Sequence, residues 1–214
     1  MNRIGIIGAM DEEVDILVEL MDIKETIEKA SLKFYKGTLE GKDIVLVRCG
    51  IGKVNSALCA QILISEFNVD AIVNTGVAGA LHSELDVLDM VISTDAIQYD
   101  VDTTAFGDPK GTIPRMESSV FVADEKLINA AYESSIKEMK SNKVLKGRVA
   151  TGDIFISSKE LKEELVNDFN AYCGEMEGGA IAHVCTLNKV PFVIIRAMSD
   201  NNSKDIVLNM LKAL

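Results

Sequence analysis

Only two histidines, His82 and His183, occur in the 214 residues. So few imidazoles argue against a histidine-rich metal centre. The four cysteines, Cys49, Cys59, Cys173 and Cys185, show no close spacing and sit in apolar surroundings. That pattern predicts reduced, buried thiols in a cytoplasmic protein rather than disulfides or a zinc site. Long hydrophobic runs are missing as well. Charged residues interrupt every apolar stretch, so no segment is long enough to span a membrane. Asn2-Arg3 leads into only a short apolar segment, and acids arrive by Asp11, which predicts no signal peptide. Positive charge is scarce: 22 Lys and Arg stand against 33 Asp and Glu, a net charge of −11. Without a basic stripe the chain is not suited to nucleic acid, and a small molecule is the expected ligand. What is present is a 48% hydrophobic composition, enough for one large core.

Periodicity orders the chain. Arg3–Gly8 reads as a short apolar strand, and Asp11-Glu12-Glu13 opens a helix with apolar residues at Val14, Leu17, Val18 and Met21. Leu32–Leu39 and residues 43–47 read as paired strands. Lys53–Phe67 reads as a helix, 69–74 as a buried strand, and 89–97 as another. Residues 99–114 form a long connection carrying Gly107, Pro109, Gly111 and Pro114, and ordered loops of that length are often functional. A helix over 124–138, a strand over Val144–Thr151, helices over 158–167 and 176–188, and a strand over 191–198 follow. Strands alternating with helices predict one α/β domain with a mixed or mostly parallel sheet.

Such sheets hold ligands beyond the carboxyl ends of their strands, and several polar segments lie there. The apolar run 191–195 continues into Arg196 and ends at Ser199-Asp200, which is either a cap for a following helix or a site acid. Gly8-Ala9-Met10-Asp11-Glu12-Glu13 carries three acids that favour a helix N-terminus and would repel phosphate, so nucleotide-loop readings fail there. In Asn74-Thr75-Gly76-Val77-Ala78-Gly79-Ala80, small residues after a strand allow a ligand close to the backbone, or simply make a tight turn. In Thr151-Gly152-Asp153-Ile154-Phe155-Ile156, Phe155 is either a platform for a flat ring or core. In Glu175-Met176-Glu177-Gly178-Gly179-Ala180, adjacent glycines weaken a helix by roughly 1 kcal/mol each, as though something passed close to the backbone. Glu175 and Glu177 cannot share a helical face, so one is expected in a pocket and the other in a structural role. Carboxylates without a nucleophile suit hydrolysis of a glycosidic bond, one activating water and one protonating the leaving group.

Taken in order, these segments, together with Gly50-Ile51-Gly52-Lys53-Val54, Thr104-Ala105-Phe106-Gly107 and Ala180-Ile181-Ala182-His183-Val184-Cys185, resemble the 5′-methylthioadenosine/S-adenosylhomocysteine nucleosidases of the nucleoside phosphorylase superfamily. The matching segments run from the first strand to the last. The resemblance implies a single nucleosidase domain over residues 1–214, built as an α/β three-layer sandwich with a central mixed sheet flanked by helices. It implies hydrolysis of the N-glycosidic bond, releasing adenine and a thioribose, by a cytoplasmic homodimer that needs no metal or cofactor. Glu13 would activate water with help from Arg196, and Asp200, oriented by Ser199, would protonate N7 of the departing adenine. Glu177 would hold the ribose hydroxyls with Met176 under the sugar. Phe155 would stack on adenine, and the backbone of Ile156 would read its edge. Ile51 would line the alkylthio end, and Val77 and Gly79 would line the pocket. Phe106 and Pro114 would reach the pocket of a partner subunit.

Burial raises a carboxyl pKa toward neutrality, which suits an acid that must protonate so weak a base. Two departures accompany the resemblance. Val77 stands where the family usually has serine, and residues 201–214 are shorter than the loop and final helix that normally follow the acid. Rival readings are a phosphorylase of the same superfamily, which would need an arginine-lined anion site, a futalosine-type nucleosidase, and a binding protein that keeps the pocket without turnover.

Overall fold

The computed structural model describes residues 2–139, 141–198 and Leu211. The expected acid Asp200 and its neighbour Ser199 lie outside the described residues. The chain begins with β1 (Arg3–Gly8), whose Ile4, Ile6 and Ile7 are all buried. It continues through α1 (Asp11–Leu20), β2 (Asp22–Lys29), β3 (Leu32–Leu39), β4 (Lys42–Arg48) and α2 (Lys53–Phe67). Next come β5 (Ala71–Ala80), β6 (Met90–Gln98), a single 3-10 turn at Thr104–Phe106, β7 (Val120–Val122) and α3 (Glu125–Glu138). The last elements are β8 (Val144–Thr151), α4 (Lys159–Phe169), β9 (Ala171–Glu175), α5 (Gly178–Asn188) and β10 (Phe192–Met198).

Strand alternation with helices delivers the mixed sheet that the periodicity predicts, but its shape differs from the expected layered sandwich. Part of the sheet is open, in the order β2-β3-β4-β1-β5. At β5 it forks. The first part of β5 runs parallel to β10, from Ile72 beside Phe192 to Ala78 beside Met198. Its last residues, Gly79 and Ala80, instead pair antiparallel with Gly174 and Cys173 of β9. β10 pairs with β6, β6 with β8 and β8 with β9, so five strands close into a barrel rather than lying between two helical layers. The run Thr75-Gly76-Val77-Ala78-Gly79-Ala80 makes this possible, because small residues in a strand permit the tight bend of a barrel corner. Register shifts in β6–β8 and β8–β9 add local twist in the same sense.

Every residue of β10 is buried, as its continuous apolar run predicts. Ile194 packs with Ile7, Val45, Leu63, Ile72 and Ile181 on the side of α2 and α5. Val193 and Ile195 face the other way, joining Ile6, Val14, Leu17, Val73, Leu127 and Ala131. All four cysteines are free and buried. No described helix is long and apolar enough to cross a membrane.

Candidate active site

The site grows from the ends of β1, β4, β5, β8, β9 and β10. Beyond β1, the chain turns through Ala9 and Met10 into α1, with Met10 as the N-cap and Glu13 on the first turn. Methionine offers no capping oxygen, so the Glu13 carboxylate reaches back instead. Its Oε2 accepts hydrogen bonds from the N–H groups of Ala9 (2.6 Å) and Met10 (3.2 Å), satisfying donors that a helix start leaves orphaned. Its Oε1 accepts a third, from the N–H of Val77 on β5 (3.0 Å). The carboxylate therefore ties the turn between β1 and α1 to β5. Gly76 is what lets it fit: a Cβ there would stand 2.5 Å from Glu13 Oε1.

Beneath this lies a buried polar network. Arg196 is only 2% exposed. Its Nη2 donates to Glu175 Oε2 (2.5 Å) and to Asn74 Oδ1 (2.6 Å), and its Nη1 donates to the carbonyl of Ile195 (3.1 Å). Glu175 also accepts from the N–H groups of Glu177 (3.0 Å) and Gly178 (2.7 Å) and from the Thr151 hydroxyl. Such saturation is what a buried ion pair needs to survive desolvation. The guanidinium makes no hydrogen bond to Glu13 among the described contacts. It acts on that carboxylate through its charge, and the carboxylates of Glu175, Glu13 and Glu177 together hold the Arg196 pKa above its ordinary value against the opposing effect of burial. Its Nε has no hydrogen-bond partner among the described residues.

Glu177 sits at the N-cap of α5 and is buried. Its Oε1 accepts from the N–H of Gly52 (2.9 Å). Burial, reinforced by the negative charge of Glu175, pushes its pKa up to about 7, while Arg196 and the Gly52 N–H pull the other way. The adjacent glycines Gly178 and Gly179 are explained by the protein itself. Cβ atoms there would come within 2.8 Å of the Ile194 and Thr151 side chains respectively, so the close approach inferred from the sequence is internal packing.

These residues surround one cavity of about 450 Å³, within the range of small-molecule sites. Glu13, Glu175 and Glu177 supply its polar wall, with Ala9 and Met10 beside them. Ile51 closes one side, and Val77, Ala78 and Gly79 form the β5 wall. Ile154, Phe155, Ile156, Gly174 and Met176 complete it. Phe155 is 80% exposed, so it is not core; its ring stands at the rim as a free platform.

Of the residues expected at the site, Glu13, Ile51, Val77, Gly79, Phe155, Ile156, Met176 and Glu177 meet at this cavity. Arg196 lies behind Glu175. Phe106 (88% exposed) and the exposed Pro114 do not line it. β10 ends at Met198, beside Ala78 of the cavity wall, and Ser199 and Asp200 follow outside the described residues. Asn74 and Glu175 escaped the sequence reading as partners of Arg196, and Thr151 as a donor to Glu175. An arginine inside an otherwise apolar strand was the signal, since so buried a cation requires a carboxylate.

The chain is similar to known proteins over nearly its whole length. The phosphorylase superfamily model matches residues 3–211. A curated 5′-methylthioadenosine/S-adenosylhomocysteine nucleosidase from Halalkalibacterium halodurans is 47% identical over 201 residues, covering 94% of this chain and 86% of that protein. The solved nucleosidase of the same kind from Neisseria meningitidis, in complex with methylthio-immucillin-A, is 36% identical with a TM-score of 0.94, covering 100% of each chain. A futalosine hydrolase from Helicobacter pylori is 33% identical with a TM-score of 0.91, covering 100% of this chain and 98% of that one. The chain thus belongs to the phosphorylase superfamily and, within it, to the family of 5′-methylthioadenosine/S-adenosylhomocysteine nucleosidases.

Proposed function

We propose that this protein hydrolyses the N-glycosidic bond of 5′-methylthioadenosine and S-adenosylhomocysteine, releasing adenine and the corresponding thioribose. One observation carries the reading: Glu13, fixed by three backbone N–H groups, faces the same cavity as Glu177 and Phe155. Among the described residues no lysine or arginine lines that cavity, which disfavours phosphate as the acceptor and favours water. Adenine lies against Phe155 with its edge toward Ile156. Glu177 accepts hydrogen bonds from the ribose hydroxyls above Met176, and Ile51 contacts the alkylthio group. As the C1′–N9 bond breaks, Asp200, oriented by Ser199, gives its proton to N7. Water attacks C1′ and passes a proton to Glu13, whose negative charge also stabilises the oxocarbenium-like sugar. Arg196 supports the same end of the cavity from below. Val77 and Gly79 shape the β5 wall.

The active unit is proposed to be a cytoplasmic homodimer. Ile51, Val54 and Leu58 form an exposed apolar face at the start of α2, Val54 being 79% exposed, and Phe106 projects from its loop. Apolar surface of this kind marks an interface, and a second copy would bring Phe106 and Pro114 to its neighbour's pocket. A futalosine-type substrate is the second reading, favoured by the likeness to the Helicobacter pylori hydrolase.

The test is adenine release from methylthioadenosine, with and without phosphate, beside a futalosine-type nucleoside. Phosphate-independent release of adenine and free thioribose is expected. Phosphate dependence with a sugar 1-phosphate product overturns hydrolysis, and turnover confined to the futalosine-type nucleoside overturns the substrate.

A further inference from the structure

The N-cap of helix α2 is Gly52, which has no side chain with which to cap it, and whose φ of 98° lies where other residues are strained. Two carboxylates from distant segments do the capping instead. Glu177 accepts from the Gly52 N–H (2.9 Å), and Asp153 Oδ1 accepts from the Lys53 N–H (2.8 Å). Both anions are favoured by the positive end of the helix. Asp153 is itself held in place. Its N–H donates to Asp100 Oδ2 (3.0 Å), while Asp100 Oδ1 accepts from Lys53 Nζ (2.7 Å), in an ion pair whose side chains are 19% and 13% exposed. The next residue, Ile154, accepts from the Tyr99 hydroxyl through its carbonyl (3.1 Å). A closed circuit thus runs from the Phe155 segment through Asp153 to the first turn of α2 and on to Glu177. The second connection returns from Lys53 through Asp100 to Asp153.

We propose that Asp153 and Asp100, locked by Lys53, are positioning residues that couple the base-holding segment 153–156 to the sugar-holding carboxylate Glu177 through the N-terminus of α2. The assignment of base and sugar ends rests on the nucleosidase reading above. Ordering of Phe155 against a flat ring fixes Asp153. Asp153 then fixes the Lys53 and Gly52 amides, and the Gly52 amide orients Glu177 toward the hydroxyls. Without Asp153, glycine at position 52 leaves that turn free to move, and Glu177 loses a donor that favours its charged form.

The test is calorimetric binding of methylthioadenosine and of adenine from pH 5.5 to 8.5 (a range chosen to bracket about 7), alongside steady-state kinetics. It uses the full chain with Asp153→Ala, Asp153→Asn and Asp100→Asn, and melting curves to establish folding. A lost charge-assisted hydrogen bond predicts that Asp153→Ala weakens methylthioadenosine binding about tenfold or more, with kcat less affected than KM. The groups facing Glu177 are Glu175, Glu13, Arg196, the Cys49 thiol and the Gly52 N–H. Only the last moves in the variant, so the acidic fall-off in affinity should shift to higher pH. Asp153→Asn, which keeps an acceptor oxygen, should restore most of the affinity, and Asp100→Asn should shift both readouts in the direction of Asp153→Ala. Unchanged affinity in a folded Asp153→Ala or Asp100→Asn protein overturns the coupling. So does weaker binding with neither a shifted pH dependence nor rescue by asparagine. If Asp153→Ala fails to fold, Asp100→Asn carries the same readouts. Wild-type protein that binds methylthioadenosine but releases no adenine defeats the hydrolase reading alone, because the binding arms still decide the coupling.

Discussion

Replacing Glu177 with Gln should make the protein more stable, in a way that depends on pH. Glu177 is buried beside Glu175, and its pKa rises from the ordinary 4.5 to about 7. The folded state therefore keeps its proton over a range in which the unfolded chain has already lost it. Between pH 4.5 and 7 the unfolded state binds fewer protons, so stability falls as pH rises through that window and stays low above it. At about 1.4 kcal/mol for each tenfold change in proton affinity, the total is on the order of 3 kcal/mol. Glutamine is neutral throughout and keeps an oxygen that can accept from the Gly52 N–H. Urea unfolding of both proteins from pH 4 to 9 should give equal stabilities near pH 4 and a gap that opens to its full size by about pH 8. A gap that is constant across the range, or a glutamine variant that is the weaker protein at pH 8, would refute the reasoning. The variant should also bind methylthioadenosine poorly, since the destabilising charge is the one proposed to hold the ribose.

Glu13→Gln should cut turnover roughly 10²- to 10⁴-fold while binding persists, read by rapid adenine release beside equilibrium binding; weakened binding with intact turnover would contradict the assigned role. Gly76→Ala places a methyl group 2.5 Å from Glu13 Oε1. A displacement of that carboxylate by about 1 Å predicts a loss of at least roughly 100-fold in kcat/KM, with a melting temperature that moves far less than activity. Arg196→Met leaves Glu175 charged and uncompensated in the interior, which predicts a loss of about 3–5 kcal/mol in chemical denaturation; adding Glu175→Gln should recover much of it.

The sequence was most legible where one physical signal dominated. β1 and β10 are apolar on both faces, α1 repeats at helical spacing, and each appears where its pattern predicts. β2 escaped because Asp22–Lys29 is charged and mostly exposed. It is an edge strand that pairs, among the described residues, with β3 alone, and pairing leaves no hydrophobic mark on such a segment. β7 and β9 are too short to show a period. Barrel closure depends on β5 having three strand neighbours, which no local pattern encodes. At the site, the ordered motifs located nearly every cavity residue, most of them at the ends of readable strands and Glu175-Met176-Glu177 through its paired glycines. Contacts between those motifs were harder to read. Nothing within Thr151-Gly152-Asp153 announces a cap for a helix 100 residues earlier, and the glycines of α5 serve Thr151 and Ile194 rather than a ligand.

The fork at β5 also governs when the site can exist. Residues 72–78 lie mid-chain, but their partner strand occupies residues 192–198. During synthesis the nascent chain therefore carries Glu13 and Asn74 long before Arg196 emerges, and Glu175 21 residues before it. Until it does, Glu175 has no countercharge and the barrel has no closing strand, so burying that carboxylate is unfavourable. Contacts separated by more than 100 residues also make for slow folding. The arginine acts as a completion signal, and the cavity assembles only once β10 has been made.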